Sequence, residues 1–72
     1  MEQIVIEYGD FLKEKRLEKG YSQAKVAELL GITQQSYSLI ELGKREPGLD
    51  FVIDVAGALG FKPGDFFNNY RK

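Results

Sequence analysis

The sequence predicts an all-α domain: a compact five-helix bundle whose second and third helices form a helix-turn-helix. Three observations carry that expectation. Strand signal is almost absent, since only Gln3–Glu7 has β-branched character and it is short. Glycines and N-capping residues divide the rest into segments of helical length. The stretch SQAKVAELLGITQQSYSLIELGK, Ser22 to Lys44, reads as two short helices around one tight turn. The second of them opens on adjacent glutamines and carries no acid until Glu41. A helix-turn-helix of this layout sets its second helix in the major groove of DNA.

Residues 1–9 read as an N-terminal arm, 10–67 as the helix-turn-helix domain and 68–72 as a tail that frays. Helix 1 is expected from about Asp10 to Lys19. Gly9 and Asp10 begin it, Tyr8, Leu12 and the stem of Lys15 face inward, and Gly20 ends it. Ser22 caps helix 2, whose apolar Val26, Ala27 and Leu30 recur at helical spacing. Gly31 stops it and Ile32 makes the hydrophobic contact after the cap. Thr33 caps helix 3, with Tyr37 and Ile40 on its inner side, and Gly43 ends it. Pro47 breaks the loop that follows. Helix 4 runs from about Leu49 to Leu59 with a broad apolar face of Leu49, Val52, Ile53, Val55, Ala56 and Leu59. Gly57 inside it marks either a close packing contact or simple tolerance. Gly60 ends helix 4, and Pro63 suits the first turn of a short helix 5 carrying Phe66 and Phe67.

Composition excludes much. With 72 residues the chain makes one small domain. It has neither cysteine nor histidine, so disulfides, thiolate or imidazole metal sites, imidazole acid–base work and thiol nucleophiles are absent. No catalytic carboxylate pair stands out, and no cofactor is expected. No apolar run reaches the roughly 20 residues of a membrane span. The start MEQIVIEYG carries two acids and too short an apolar run for a signal peptide, so a cytoplasmic protein is expected. The net charge is −1, but its distribution matters more than its sum. Leu29 to Ile40 holds no acid, and Lys44 and Arg45 follow. One neutral-to-basic face on an acidic body suits DNA with modest nonspecific affinity.

Helix phase decides what helix 3 presents. At about 100° per residue, Tyr37, Ile40 and Glu41 share one face, and Gln35, Ser38, Leu39 and Leu42 share the opposite one. Gln34 projects near the exposed tip. The glutamine amide matches the N6 and N7 edge of adenine, so an adenine is expected beneath Gln34 and the next base pair beneath Gln35. Leu39 suits a thymine methyl, or else Leu39 and Leu42 contact helix 4 or the arm. Gln23 stands beside the unpaired amides of helix 2, where a phosphate binds. Lys44 and Arg45 are candidate phosphate contacts, with solvated surface charge as the plainer reading. Glu41 lies on the inner side and needs a partner; Arg16 on helix 1 is the candidate for a structural ion pair.

At these residues the chain resembles the Cro/cI-type helix-turn-helix family, the DNA-binding domains of lambdoid phage repressors and many bacterial regulators. The resemblance covers about Tyr8 to Phe67. It rests on Arg16, GYSQ at Gly20–Gln23, Ala27, LGIT at Leu30–Thr33, Ile40–Lys44, the proline that follows, and Ala56 with Ala58–Gly60. It implies a lambda-repressor-like bundle in which Gln34, Gln35, Ser38 and Leu39 face bases. It implies phosphate contacts at Gln23, Ser36, Lys44 and the backbone after Gly43, with Gln23 also bracing Gln34, and an interhelical Arg16–Glu41 pair. Leu39, Leu42 and Glu46 depart from the subgroup that reads DNA with paired glutamines.

The resemblance further implies a small dimeric repressor on a palindromic operator, a restriction–modification controller, or an antitoxin with a toxin partner. Candidates for the homodimer surface are Ile4 and Ile6 in the arm and Phe66, Phe67 and Tyr70 in helix 5 and the tail, with at least one phenylalanine expected in the core. The alternative is a protein-interaction module on the same scaffold with weak or no DNA binding. An enzyme is not expected.

Overall fold

Five helices follow one another: α1 (Glu2–Lys19), α2 (Gln23–Leu30), α3 (Gln34–Glu41), α4 (Leu49–Leu59) and α5 (Pro63–Tyr70). The computed structural model describes the backbone of residues 2–70 and the side chains of residues 8–66. α1 packs on α3, α4 and α5, while α2 packs on α3 and α4. The core between them is Tyr8, Leu12, Val26, Ala27, Tyr37, Ile40, Val52, Val55, Ala56, Leu59, Phe61 and Phe66.

α1 differs from its sequence-based expectation. It begins at Glu2 rather than near Asp10, so most of the expected arm is helical backbone. A β-branched run forms a strand only where another strand can pair with its amides and carbonyls. This chain offers no second strand signal, and a helix satisfies those groups within the segment. Gly9 is therefore not a start signal but an interior residue at a helix crossing. A Cβ built on it would lie 2.9 Å from the carbonyl carbon of Glu41, nearer still to that carbonyl's oxygen, and 3.3 Å from the Ile40 oxygen.

The short helices keep their expected caps. Ser22 Oγ accepts from the Lys25 amide at 3.0 Å, and Thr33 Oγ1 accepts from the Ser36 amide at 3.0 Å. The turn between α2 and α3 depends on Gly31, whose φ of 72° is a left-handed conformation that a Cβ disfavours. There the Ile32 amide reaches back to the Ala27 carbonyl at 3.0 Å, which closes α2 and aims α3 across it.

In α4 the buried face is Val52, Val55, Ala56 and Leu59. Leu49 and Ile53, expected to share it, are 64% and 53% exposed. The face that α1, α2 and α5 cover is narrower than the apolar face of the sequence, and Ile53 lies about 100° around the helix from Val52. Gly57 has open space where a Cβ would go, so no packing contact requires glycine there. Gly57→Ala is accordingly expected to raise stability by about 0.5–1 kcal/mol through helix propensity alone. Thermal unfolding reads this directly, since about 1 kcal/mol shifts Tm by roughly 4–8 °C in a domain of this size.

α5 carries Phe66 into the core, where its ring lies 5.6 Å from Tyr8 and 6.2 Å from Phe11. Phe11 also meets Phe61 edge-on at 5.0 Å. Lys15 lays its ammonium over the Phe11 ring at 5.5 Å, in keeping with its half-buried stem. The helix continues through Tyr70, so the stretch expected to fray from Asn68 is helical backbone as far as the structure describes it.

Candidate nucleic-acid interface

The outer face of α3 follows from how its inner face is held. Tyr37, Ile40 and Glu41 are buried against the bundle. That fixes the rotation of the helix and turns Gln34 and Gln35 out as exposed side chains at its N-terminal tip. Ser38 and Leu39 are half-buried on the same outer side, so Leu39 is part packing residue and part surface. Leu42, just past the helix, is 59% exposed. Ser36 is half-buried, its hydroxyl accepting from Thr33 Oγ1 at 2.9 Å. Lys44 and Arg45 are exposed in the loop after α3.

The electrostatics of the helix ends distinguish this side of the molecule. α4 and α5 each carry an acid in the first turn, Asp50 and Asp65. α2 and α3 carry none. An acid there would offset the positive helix end. With no acid in their first turns, the starts of α2 and α3 suit an anion such as a backbone phosphate.

Behind this surface stands a buried polar cluster. Arg16 Nε donates to Glu41 Oε2 at 2.7 Å and Arg16 Nη2 donates to Oε1 at 3.3 Å. Arg16 Nη1 donates to the Tyr21 carbonyl at 2.9 Å. Tyr37 Oη donates to Glu41 Oε2 at 2.7 Å, and Gln23 Nε2 donates to Oε1 at 3.0 Å. Among the described residues no buried side-chain polar atom lacks a partner. Burial pushes the Glu41 carboxyl up, but the hydrogen bonds from Arg16, Tyr37 and Gln23 and the charge of Arg16 outweigh it and hold it below the usual carboxylate range. The Tyr37 phenol is pushed well up, first by burial and then by the Glu41 carboxylate it donates to.

The structure brings Arg16, Gln23, Tyr37 and Glu41 together and places Gln34, Gln35, Ser36, Ser38 and Leu39 along one helix. The Gln23 side chain is tied to Glu41 through its Nε2. Phe66 is 1% exposed and cannot form a dimer surface; it lies between Tyr8 and Phe11 because α5 docks on α1. The side chains of Ile4, Ile6, Phe67 and Tyr70 lie outside the described residues. Two further connections differ in how much local signal they leave in the sequence. The Tyr37–Glu41 bond was legible in principle, because the residues stand four apart on one helix face. The other, from Tyr8 Oη to the Arg45 carbonyl, spans 37 positions and leaves no local signal.

Comparison with known proteins places the chain. The Helix-turn-helix family model matches residues 12–67. The SPβ prophage-derived HTH-type transcriptional regulator YonR of Bacillus subtilis is 45% identical over 53 residues, covering 74% of this chain and 49% of its own length. The chain thus spans about half the length of that relative. The HTH-type transcriptional regulator YgzD of the same organism is 38% identical over 56 residues, covering 78% of this chain and 85% of its own. Among solved structures, the restriction-modification controller protein C.AhdI of Aeromonas hydrophila superposes with a TM-score of 0.82 at 32% identity, covering 88% of this chain and 91% of its own. The clp gene regulator ClgR of Corynebacterium glutamicum shares the fold, with a TM-score of 0.85 at 24% identity, covering 93% of this chain and 71% of its own. The architecture is a lambda-repressor-like bundle.

Proposed function

The chain belongs to the Cro/C1-type helix-turn-helix family, and on that premise we propose that it is a transcriptional regulator that binds a specific duplex sequence with α3 in the major groove. The outer face of α3 carries this reading. Its N-terminal tip offers two exposed glutamines, and no acid stands in the first turn of α2 or α3. Gln34 and Gln35 read base edges, with Ser38 and Leu39 alongside them. Ser36, Lys44, Arg45 and the backbone start of α2 at Gln23 grip phosphate. This work requires binding and orientation only, with no bond-making chemistry.

An eight-residue helix is about 12 Å long, and base pairs repeat every 3.4 Å or so, so α3 covers about four of them. One copy reads too little sequence to find a site in a genome. A homodimer on a palindromic operator follows, most simply as a repressor that occupies the polymerase's site. Ile4, Ile6, Phe67 and Tyr70 are the candidates for its subunit contact.

Selection from a randomised duplex pool at low salt tests the reading. The expected product is a palindrome with half-sites about one helical turn apart. Affinity for it should fall steeply with salt, because phosphate contacts release counterions. Gln34→Ala should then relax preference at a single base position, by about 1–3 kcal/mol, and leave melting unchanged because the side chain is exposed. A selected motif identical to wild type would remove Gln34 as a base reader. Leu42, at 59% exposed, favours a second reading in which this surface meets a protein, such as a toxin. A folded chain that enriches no duplex at any salt would point there.

A further inference from the structure

Glu41 does more than hold α1 to α3. It is the meeting point of three helices: Arg16 reaches it from α1, Gln23 from α2 and Tyr37 from its own α3. Each of its two oxygens accepts two donors. Its side chain is 4% exposed and its Arg16 contact is a 2.7 Å ion pair, so the carboxylate is a fixed point of the fold.

Gln23 is the first residue of α2, half-buried, and its Nε2 lies 3.0 Å from Glu41 Oε1. A glutamine amide has an acceptor end and a donor end, and at the surface either can face a given neighbour. A carboxylate accepts and cannot donate. Only the nitrogen end of Gln23 can therefore face Glu41. The carbonyl oxygen and the remaining N–H are left to other partners.

We infer that Glu41 is a positioning residue for recognition, which holds the Gln23 amide in a single orientation at the α2–α3 surface through the Gln23–Glu41 hydrogen bond. This rests on the DNA-binding reading above. The consequence is preorganisation. A free glutamine loses side-chain freedom when a ligand orders it, whereas Gln23 has lost that freedom on folding. Its Oε1 is an acceptor, which repels a phosphate and accepts only from a donor. The phosphate contact at this end of α2 then falls to the backbone amide and the one free N–H.

A double-mutant cycle in DNA affinity tests this, using Gln23→Ala, Glu41→Gln and the double variant on the selected operator. Each is measured where circular dichroism shows the chain folded. Glu41→Gln should weaken binding about fivefold or more when Gln23 is present and less than twofold when Gln23 is alanine. Equal losses in both backgrounds would mean that Glu41 acts through stability alone, and would overturn the inference.

Glu41→Gln leaves Arg16 without its anion and can unfold the chain, so the wild-type protein supplies a second measurement. By NMR, one of the two Gln23 Nε2 protons should be shifted downfield and protected from solvent exchange, free and bound to DNA. Two rapidly exchanging protons at unfolded-chain shifts overturn the inference whatever the cycle shows. If wild type selects no duplex, the DNA-binding reading fails and this role fails with it. If it selects one and the cycle shows no coupling, only the positioning role fails.

Discussion

Gly9→Ala should leave little or no folded protein at 25 °C, although alanine in place of a helical glycine ordinarily adds about 1 kcal/mol of stability. The reason is the crossing of α1 over the end of α3. A Cβ at position 9 enters the space of the Glu41 carbonyl and crowds that of Ile40. Those are backbone atoms of a helix, not the ends of flexible side chains, so relief requires α1 and α3 to move apart. Overpacking that the core can absorb costs about 1–3 kcal/mol and occasionally more. Here the neighbours cannot give, and separation also strains the Arg16–Glu41 contact and the burial of Tyr8. A domain this small has on the order of 3–5 kcal/mol in hand. Urea titration of Gly9→Ala beside Gly57→Ala makes the comparison sharp. The same exchange, in two helices of one chain, should carry opposite signs. A Gly9→Ala midpoint at or above wild type would show that α1 can shift without cost, and would remove the close crossing.

Those two glycines also mark what was legible in the sequence. Local chemistry was readable: Ser22 and Thr33 as caps, Gly31 as the turn, Pro63 as a helix start, and the phase that turns Tyr37 and Ile40 inward. Each depends on residues within a few positions of one another. The start of α1 and the exposure of Leu49 and Ile53 were not readable. They depend on which surfaces meet across the bundle, and a glycine that permits a crossing looks the same in sequence as one that permits nothing. The candidate interface divides in the same way. Helix phase placed Gln34 and Gln35 outward, but no spacing rule ties Gln23 to Glu41, or Tyr8 to the loop that carries Arg45. Phe66 shows the limit from the other side. An aromatic pair near a chain's end fits a core or a dimer surface equally well, and only the docking of α5 on α1 decides for the core.

Arg16→Ala should be the most destabilising side-chain truncation in the polar cluster, and it should invert the pH dependence of stability. In the wild type the folded Glu41 carboxyl sits below its ordinary value, first opposed by burial and then drawn down by Arg16, Tyr37 and Gln23. Between the folded and unfolded values the unfolded chain binds more protons. The contribution of Glu41 is therefore complete above the unfolded carboxylate range, at about pH 4.3, and is lost as pH falls through the lower folded value. Removing Arg16 leaves burial opposed only by two uncharged donors, so the folded value should rise above the unfolded one. Stability of the variant should then fall as pH rises from about 4 toward 7. Breaking a buried pair from one side costs about 3–5 kcal/mol, comparable to the whole stability of the domain. The variant should be largely unfolded at neutral pH and partly rescued in mild acid, where a protonated Glu41 no longer carries an unpaired buried charge. Chemical denaturation of both proteins at pH 4.5 and pH 7 reads the crossing. A variant that loses stability in acid as wild type does would show that Tyr37 and Gln23 suffice to hold the carboxylate ionised, and Arg16 would then be a tie between helices and not the counter-charge that Glu41 requires.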